Sequence, residues 1–365
     1  MVGKAFLWIF MLIVGFILLV KGADFFVDGA AGIAEKLRVS TFIIGLTVVA
    51  LGTSAPEMAV SVIGGIKAAT GDPSGTEVIM GNVLGSNMIN ILLILGISAL
   101  VTKLPVEKSS RYIEIPFLII ISLIFLLLGD AGGGFAWYDG LILVGLYAAF
   151  MAYTIIMAKR TKQPALLEQG AADATVMVGA PAGEGLIARV KAKYEELKGK
   201  VWFLIIITIV GLGMVVGGAQ LVVESAQSIA EDLLHIPTGI VALTVVAFGT
   251  SLPELVTSVS AARKGDVGLA IGNIIGSNIA NILLIAGLGF ISSGAVGAPF
   301  DVASLADGYV SIIAAALLLG FSFFKGNKLG KIAGVTFLVV LVGYYAYRIC
   351  AACGVCPMIQ IPTIF

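Results

Sequence analysis

The chain has 365 residues, of which 59% are apolar and only 12% charged, and its formal net charge is zero. Soluble domains carry roughly 25% charged residues, so this composition excludes a soluble globular enzyme, a disordered chain and a disulfide scaffold; the mean hydropathy of +1.08 agrees. Neutrality gives no reason to expect a nucleic-acid partner, and the single histidine, His235, argues against a His-rich metal site and against Ser–His catalysis.

A membrane helix needs about 20 apolar residues. Charge-poor runs of that kind predict ten spans, near 5–27, 40–66, 78–101, 112–128, 136–157, 201–224, 238–262, 267–291, 308–324 and 332–350. The first resembles a signal peptide, but no small-residue cleavage pattern follows it, and a related pattern recurs at 210–233, so it is expected to stay as a structural helix. The polar stretch 158–200 contains Pro164, a Gly/Ala-rich part at 170–185 and a charged end at 186–200. It is short for a domain and reads as a linker between a first unit, 1–157, and a second, 201–350, with a tail at 351–365.

The basic residues orient the chain. With the amino terminus outside, loops facing the cytoplasm hold 18 of the 22 Lys and Arg residues, and outer loops and termini hold three: Lys4, Lys67 and Arg348. Lys21 falls in the first helix. An integral, multi-pass protein of the plasma (cell inner) membrane is expected, with both termini extracytoplasmic.

The chain repeats itself. Leu46-Thr47-Val48-Val49-Ala50-Leu51-Gly52-Thr53-Ser54-Ala55-Pro56-Glu57 returns as Leu243-Thr244-Val245-Val246-Ala247-Phe248-Gly249-Thr250-Ser251-Leu252-Pro253-Glu254, with ten of twelve positions identical. Gly81-Asn82-Val83-Leu84-Gly85-Ser86-Asn87-Met88-Ile89-Asn90 returns as Gly272-Asn273-Ile274-Ile275-Gly276-Ser277-Asn278-Ile279-Ala280-Asn281. Each half carries five expected helices, and an odd number sends the second half into the membrane in the opposite sense. The expected fold is therefore an all-α polytopic membrane protein, ten transmembrane helices in two inverted five-helix repeats. That is a transporter architecture, with binding groups at the midplane.

Glu57 is the only charged residue between Arg38 and Lys67, and Glu254 the only one between His235 and Arg263. A charge at mid-membrane costs at least ~2.5 kcal/mol, which makes such a residue a functional candidate. A lone buried glutamate can be a protonated structural group; two in the same Gly-Thr-Ser-x-Pro-Glu setting point to function. Pro56 and Pro253 cannot donate to the carbonyls of Gly52 and Gly249, so those turns open either into a plain kink or toward a bound cation. Ala50, Thr53, Ser54 and Glu57 share one helix face, as do Ala247, Thr250, Ser251 and Glu254. Asn82, Ser86 and Asn90 form a stripe on the following helix, repeated by Asn273, Ser277 and Asn281; the glycines beside them suit small-residue packing.

This ligand set is all oxygen. Hard cations such as Ca²⁺ take six to eight oxygens, and no thiolate or imidazole stands at this depth for softer metals. Two carboxylates balance one Ca²⁺ or two Na⁺, so either load removes the buried charge. That makes exchange plausible chemistry, with protons as competitors for the same oxygens and acid as an expected inhibitor.

The duplicated motifs closely resemble the alpha repeats of the Ca²⁺/cation antiporter superfamily, especially its Na⁺/Ca²⁺ exchanger branch, over both halves apart from the linker and tail. The resemblance implies counter-transport, typically three Na⁺ for one Ca²⁺, by alternating access, with the first and sixth helices sliding as a gate. It implies that Glu57, Glu254 and the Thr53 and Thr250 carbonyls hold Ca²⁺. Ser54, Ser86, Ser251, Ser277 and the Ala50 and Ala247 carbonyls would form flanking Na⁺ sites, and Asn90 and Asn281 would line the middle. Potassium-dependent relatives carry Asp where Asn281 stands, which argues against K⁺ co-transport here. Ca²⁺/H⁺ antiport on the same scaffold is the alternative, and a cation channel a more distant one. An intramembrane hydrolase using Ser54 or Ser251 lacks a buried base. No cofactor is expected beyond the transported Ca²⁺ and Na⁺ and the lipid bilayer around the protein.

Three features are expected to lie outside the chemistry. Cys350, Cys353 and Cys356 do not complete a four-cysteine cluster and are placed outside, where a disulfide can form. Asp24 and Asp28 read as solvated residues at the inner end of the first helix, and His235 as a loop residue.

Overall fold

The structure is a computed structural model that describes residues 2–72, 74–132, 134–160, 194, 196–229, 247–294, 302–324 and 326–352. The first helix, α1 (Val2–Leu37), spans 36 residues, ten more at its carboxyl-terminal end than its apolar run predicts. The extra turns carry Asp28, Glu35 and Lys36, and the helix stops where Arg38 turns left-handed at φ 56°. Ser40 then caps α2 (Thr41–Ile44), accepting a hydrogen bond from the Ile43 amide at 3.3 Å.

A π-helical turn, Gly45–Val49, leads into α3 (Ala50–Thr53). The chain breaks at Ser54 and resumes as α4 (Ala55–Ala69), bent by 49° from the segment before it. Pro56 in the first turn of α4 is the cause, since it has no amide to continue the ladder. Next come α5 (Ser74–Met88), a π turn at Ile89–Leu95, α6 (Gly96–Val101) and the short strand β1 (Leu104–Pro105). A π turn at Ser110–Glu114 opens α7 (Ile115–Gly132), and α8 (Trp137–Arg160) closes the half.

The second half opens with α9 (Val201–Ser228), followed among the described residues by α10 (Ala247–Gly249), α11 (Leu252–Lys264) and α12 (Val267–Ala280). A π turn at Asn281–Ile285 precedes α13 (Ala286–Ser293), then α14 (Val302–Ser322), β2 (Lys328–Leu329) and α15 (Lys331–Ala352). The halves echo each other locally: Ser251 breaks the chain at φ −89°, ψ 6°, as Ser54 does at φ −81°, ψ 11°.

Seven helices among the described residues are long and apolar enough to cross a bilayer, or eight if the pair bent at Ser54 is one span. The start of the expected span at 238–262 lies outside the described residues, with His235; its end is α11. The span expected at 332–350 is helical throughout as α15. The protein is an integral, multi-pass membrane protein.

Two spans make the core. Gly75–Val101 is 78% buried and Val267–Ser293 is 83% buried, against 22% for α1. Apolar packing between helices gains little in lipid, so close approach through small residues matters most. α1 lies along α9 on such a seam: a Cβ at Gly22 would stand 2.9 Å from the Gly211 carbonyl and 2.8 Å from the Val215 amide. β1 pairs antiparallel with β2, Leu104 opposite Leu329, and so ties a loop of each half together. Ion pairs from Asp28 to Lys198 and Lys264 join further polar segments near the end of α1.

Candidate cation-binding site

The break at Ser54 places Glu57 at the start of α4, and the break at Ser251 places Glu254 at the start of α11. Glu57 is 1% and Glu254 0% exposed. The two carboxylates are close enough to repel each other. The helices crossing them are α5 and α12, whose stripes turn inward: Ser86, Asn90, Ser277 and Asn281 are all buried.

Several contacts run between the halves. The Ser54 hydroxyl donates to Glu254 Oε1 at 2.9 Å and lies 3.1 Å from the Ser277 hydroxyl. Its counterpart Ser251 lies 3.2 Å from Ser86. Ser86 and Ser251 approach the Glu57 carboxylate, yet neither Glu57 oxygen completes a hydrogen bond. Thr53 is fully buried, its hydroxyl 3.1 Å from the Val49 carbonyl, 3.4 Å from the Ala50 carbonyl and 3.2 Å from Asn273 Oδ1. Thr250 is half-buried. Ala50 is buried, and its carbonyl also receives the Ser54 amide at 3.0 Å. Ala247 starts α10, and its surroundings lie outside the described residues.

Four asparagines close the centre. Asn90 Nδ2 donates to Asn278 Oδ1 and Asn281 Nδ2 to Asn87 Oδ1, each at 2.9 Å. Asn87 Nδ2 reaches the Asn278 carbonyl at 3.4 Å and Asn278 Nδ2 the Asn87 carbonyl at 3.5 Å. Asn82 anchors the first carboxylate helix by donating to the Glu57 carbonyl at 2.8 Å and to Ser61 at 2.9 Å. Asn273 repeats the second of these on Ser258 at 2.9 Å.

Asn87 and Asn278 are missing from the sequence-derived set. A helical wheel drawn for α5 selects Asn82, Ser86 and Asn90 and leaves Asn87 off that stripe; its partner is on the other half. Only the repetition of Asn-x-x-Gly-Ser-Asn hints at it.

The side-chain nitrogens of Asn90 and Asn281 are each spent on a partner asparagine, and their own oxygens take no donor. Among the described residues, five buried acceptors at this centre have no donor: both Glu57 oxygens, Glu254 Oε2, Asn90 Oδ1 and Asn281 Oδ1. Burying an unpaired acceptor costs ~1–3 kcal/mol, more when it is charged, and buried ions persist only when paired. Oxygens converging without donors are what a cation relieves. Among the described residues no group of three or more His, Cys, Asp or Glu side chains forms, so the charge present is that of the two glutamates.

A cavity of about 370 Å³ reaches this centre. Asn82, Ser86 and Thr250 line its inner part, and Asp307, Tyr344 and Arg348 also line it. On the other side α12 is sealed by α2 and its π turn: a Cβ at Gly272 would collide with the Phe42 carbonyl, and one at Gly276 with the Leu46 carbonyl.

The sequence match covers nearly all of these elements. The model of the sodium/calcium exchanger protein family matches residues 7–156 and 203–350. The chain belongs to this family. It is a family of antiporters rather than enzymes, and cations are its substrates. The sodium/calcium exchanger MaX1 of Methanosarcina acetivorans is 32% identical over 359 residues, covering 92% of this chain and 96% of that protein. A putative antiporter, CaxA of Alkalimonas amylolytica, is 34% identical over 342 residues, covering 91% and 95%. The sodium-calcium exchanger NCX_Mj, solved after soaking with Na⁺ and Ca²⁺, superposes with a TM-score of 0.72 at 31% identity, over 93% of this chain and 98% of that one.

One peripheral expectation changes. Asp24 and Asp28 are engaged rather than simply solvated. Lys264 Nζ lies 2.7 Å from Asp28 and 3.6 Å from Asp24, Lys198 lies 3.1 Å from Asp28, and Ser260 donates to Asp24 at 2.9 Å. Burial first, then the nearby Asp28, raises the Asp266 carboxyl above its ordinary range, while Lys264 opposes the shift. Cys350 is disulfide-bonded; Cys353 and Cys356 lie outside the described residues.

Proposed function

We propose that this protein exchanges Na⁺ for Ca²⁺ across the plasma membrane by alternating access, with both cations using the chamber between Glu57 and Glu254. The observation that carries the reading is the set of five buried oxygens without donors. Two glutamates offset one Ca²⁺ or two Na⁺, so the chamber is neutralised by either cargo and costly when empty. Glu57, Glu254 and the Thr53 and Thr250 carbonyls take Ca²⁺. Ser54, Ser86, Ser251, Ser277 and the Ala50 and Ala247 carbonyls serve flanking Na⁺ positions, and Asn90 and Asn281 supply the oxygens of the middle.

The architecture that suits this is ten helices in two inverted repeats, 1–157 and 201–350, joined by a linker at 158–200 and followed by a tail at 351–365. Matching breaks at Ser54 and Ser251, and matching π turns at Ile89–Leu95 and Asn281–Ile285, support it. Basic residues crowd the loops at one end, which we place in the cytoplasm, with both termini outside.

Purified protein in liposomes tests the reading. An outward Na⁺ gradient is expected to drive saturable ⁴⁵Ca²⁺ uptake, while a K⁺ gradient does not. Uptake driven by a proton gradient alone would make the protein a Ca²⁺/H⁺ antiporter, and passive flux without a counter-ion would make it a channel.

A further inference from the structure

A second, smaller cavity lies away from the chamber. It measures about 130 Å³ and is lined by Ser40, Phe42, Leu46, Glu107, Glu114 and Thr154, among others. One wall of it corresponds by the internal repeat to one wall of the larger cavity. The shift of 191 residues that carries Gly81 to Gly272 also carries Tyr153, Thr154 and Met157, which line the small cavity, to Tyr344, Tyr345 and Arg348, which line the large one.

The two differ in charge. In the large cavity Asp307 is already compensated: Arg348 stands 3.5 Å away and the Tyr344 hydroxyl donates to it. In the small cavity Met157 stands where Arg348 would, and two acids face each other. Glu114 is 94% buried, from a relative exposure of 6%. Ser109 donates to it, but Oε2 has no partner. Glu107 sits exposed at the mouth, close enough to repel Glu114. Among the described residues no lysine or arginine acts on either carboxylate. Of the basic residues nearest in sequence, Lys108 beside Glu107 is exposed, and Arg111 donates to the Val106 carbonyl at 3.1 Å and lies 5.2 Å over the Phe323 ring.

We propose that Glu107 and Glu114 hold a divalent cation of the Ca²⁺ class in this cavity, separate from the chamber between Glu57 and Glu254. The donors are oxygen only: two carboxylates, with the Ser109 and Thr154 hydroxyls beside them. Such a set suits a hard cation. The volume has room for an ion and roughly three water molecules at about 30 Å³ each, and is well below the ~300 Å³ of an organic-ligand pocket. The position gives the ion a mechanical consequence. Phe42 and Leu46, which wall the cavity, belong to the stretch that seals Gly272 and Gly276. An ion here braces that closed end.

The test is ⁴⁵Ca²⁺ equilibrium binding to the purified full-length protein, with thermal unfolding followed in parallel. The variant E57Q/E254Q, with the chamber disabled, is expected to keep one bound Ca²⁺ and to unfold a few degrees higher when Ca²⁺ is added. E107Q/E114Q is expected to lose that ion and keep the Na⁺-displaceable one. If E57Q/E254Q fails to fold, the single variant E114Q decides, expected to bind one Ca²⁺ fewer than the unaltered protein. The proposal falls if E107Q/E114Q or E114Q binds as many ions as the unaltered protein, or if folded E57Q/E254Q binds none. It does not depend on Na⁺/Ca²⁺ exchange: loss of Ca²⁺ in E57Q/E254Q with no change in E107Q/E114Q sinks this site and leaves the chamber standing, and the reverse pattern does the opposite.

Discussion

Glu57 and Glu254 have the same setting in sequence but unequal partners in space. Glu254 Oε1 takes the Ser54 hydroxyl, whereas both oxygens of Glu57 are bare. At about 4 Å and an effective dielectric near 20, two unit charges interact by about 4 kcal/mol. Glu57→Gln or Glu254→Gln is therefore expected to weaken Ca²⁺ binding at least about a hundredfold and to abolish measurable exchange in liposomes, with Glu57 the more sensitive. Near-normal ⁴⁵Ca²⁺ uptake by either variant would overturn the assignment. Because the same oxygens accept protons, uptake is also expected to fall as the pH is taken from about 8 to about 5.5. Asn87 plays a different part. Asn87→Leu would strip Asn281 Nδ2 of its acceptor, at a cost of ~1–3 kcal/mol for the orphaned amide. The expected result is a lower unfolding temperature with Ca²⁺ affinity changed less than tenfold, since the Asn281 oxygen itself is retained. The glutamates were legible in the sequence because an isolated charge in an apolar run recurs in the same Gly-Thr-Ser-x-Pro-Glu setting. Asn87 and Asn278 were not, because their partners lie on the opposite repeat and no single-helix pattern encodes a contact between halves.

Prolines announce the bends, and the 49° break at Ser54 follows from Pro56. The π turns at Ile89–Leu95 and Asn281–Ile285 are another matter: their residues read as ordinary apolar helix, and the widened turns arise where two crossing helices meet around the asparagines. The length of α1 was also hidden, since its last turns carry Asp28, Glu35 and Lys36 and pack through Gly29, Ala30, Gly32 and Ala34, with no long apolar run to mark them. Glycine spacing gave small-residue packing without saying which glycine meets which helix. For Gly276 the structure supplies the partner: an added Cβ would strike the Leu46 carbonyl and lie 2.8 Å from the Ala50 Cβ. Backbone cannot yield as a flexible side chain does. Gly276→Ala is expected to destabilise the protein by about 1–3 kcal/mol, read as a drop in unfolding temperature, and to slow exchange by displacing Ala50 and Thr53 on the same segment. An unfolding temperature equal to that of the unaltered protein would show that the π turn at Gly45–Val49 and α12 do not seal as closely as this.

On the scale of the whole molecule, α1 and α9 form one packed pair, joined elsewhere through α1 chiefly to α11 and α2. The Asp28–Lys264 and Asp28–Lys198 ion pairs and the Asp24–Ser260 hydrogen bond fasten that pair to α11 and to the end of the linker. Sequence reasoning gave the two halves, the repeat and the sliding role that the family resemblance implies for these two helices. It gave no fastening, because Asp24 and Asp28 look solvated until the other half is folded against them. If the α1–α9 pair slides in alternating access, these contacts must break when the basic end opens. Partly exposed ion pairs are worth ~0.2–1 kcal/mol each, so removing one shifts an open–closed balance up to about fivefold, at 1.4 kcal/mol per factor of ten. Lys264→Gln, which loosens the contacts to both aspartates, is expected to favour the state open at the basic end. A cysteine placed at Ser40 should then react faster with a membrane-impermeant thiol reagent applied to that side, by up to about fivefold, and high salt should narrow the difference by screening the pairs in the unaltered protein. Equal labelling rates at low salt would mean that the ion pairs do not restrain the gate.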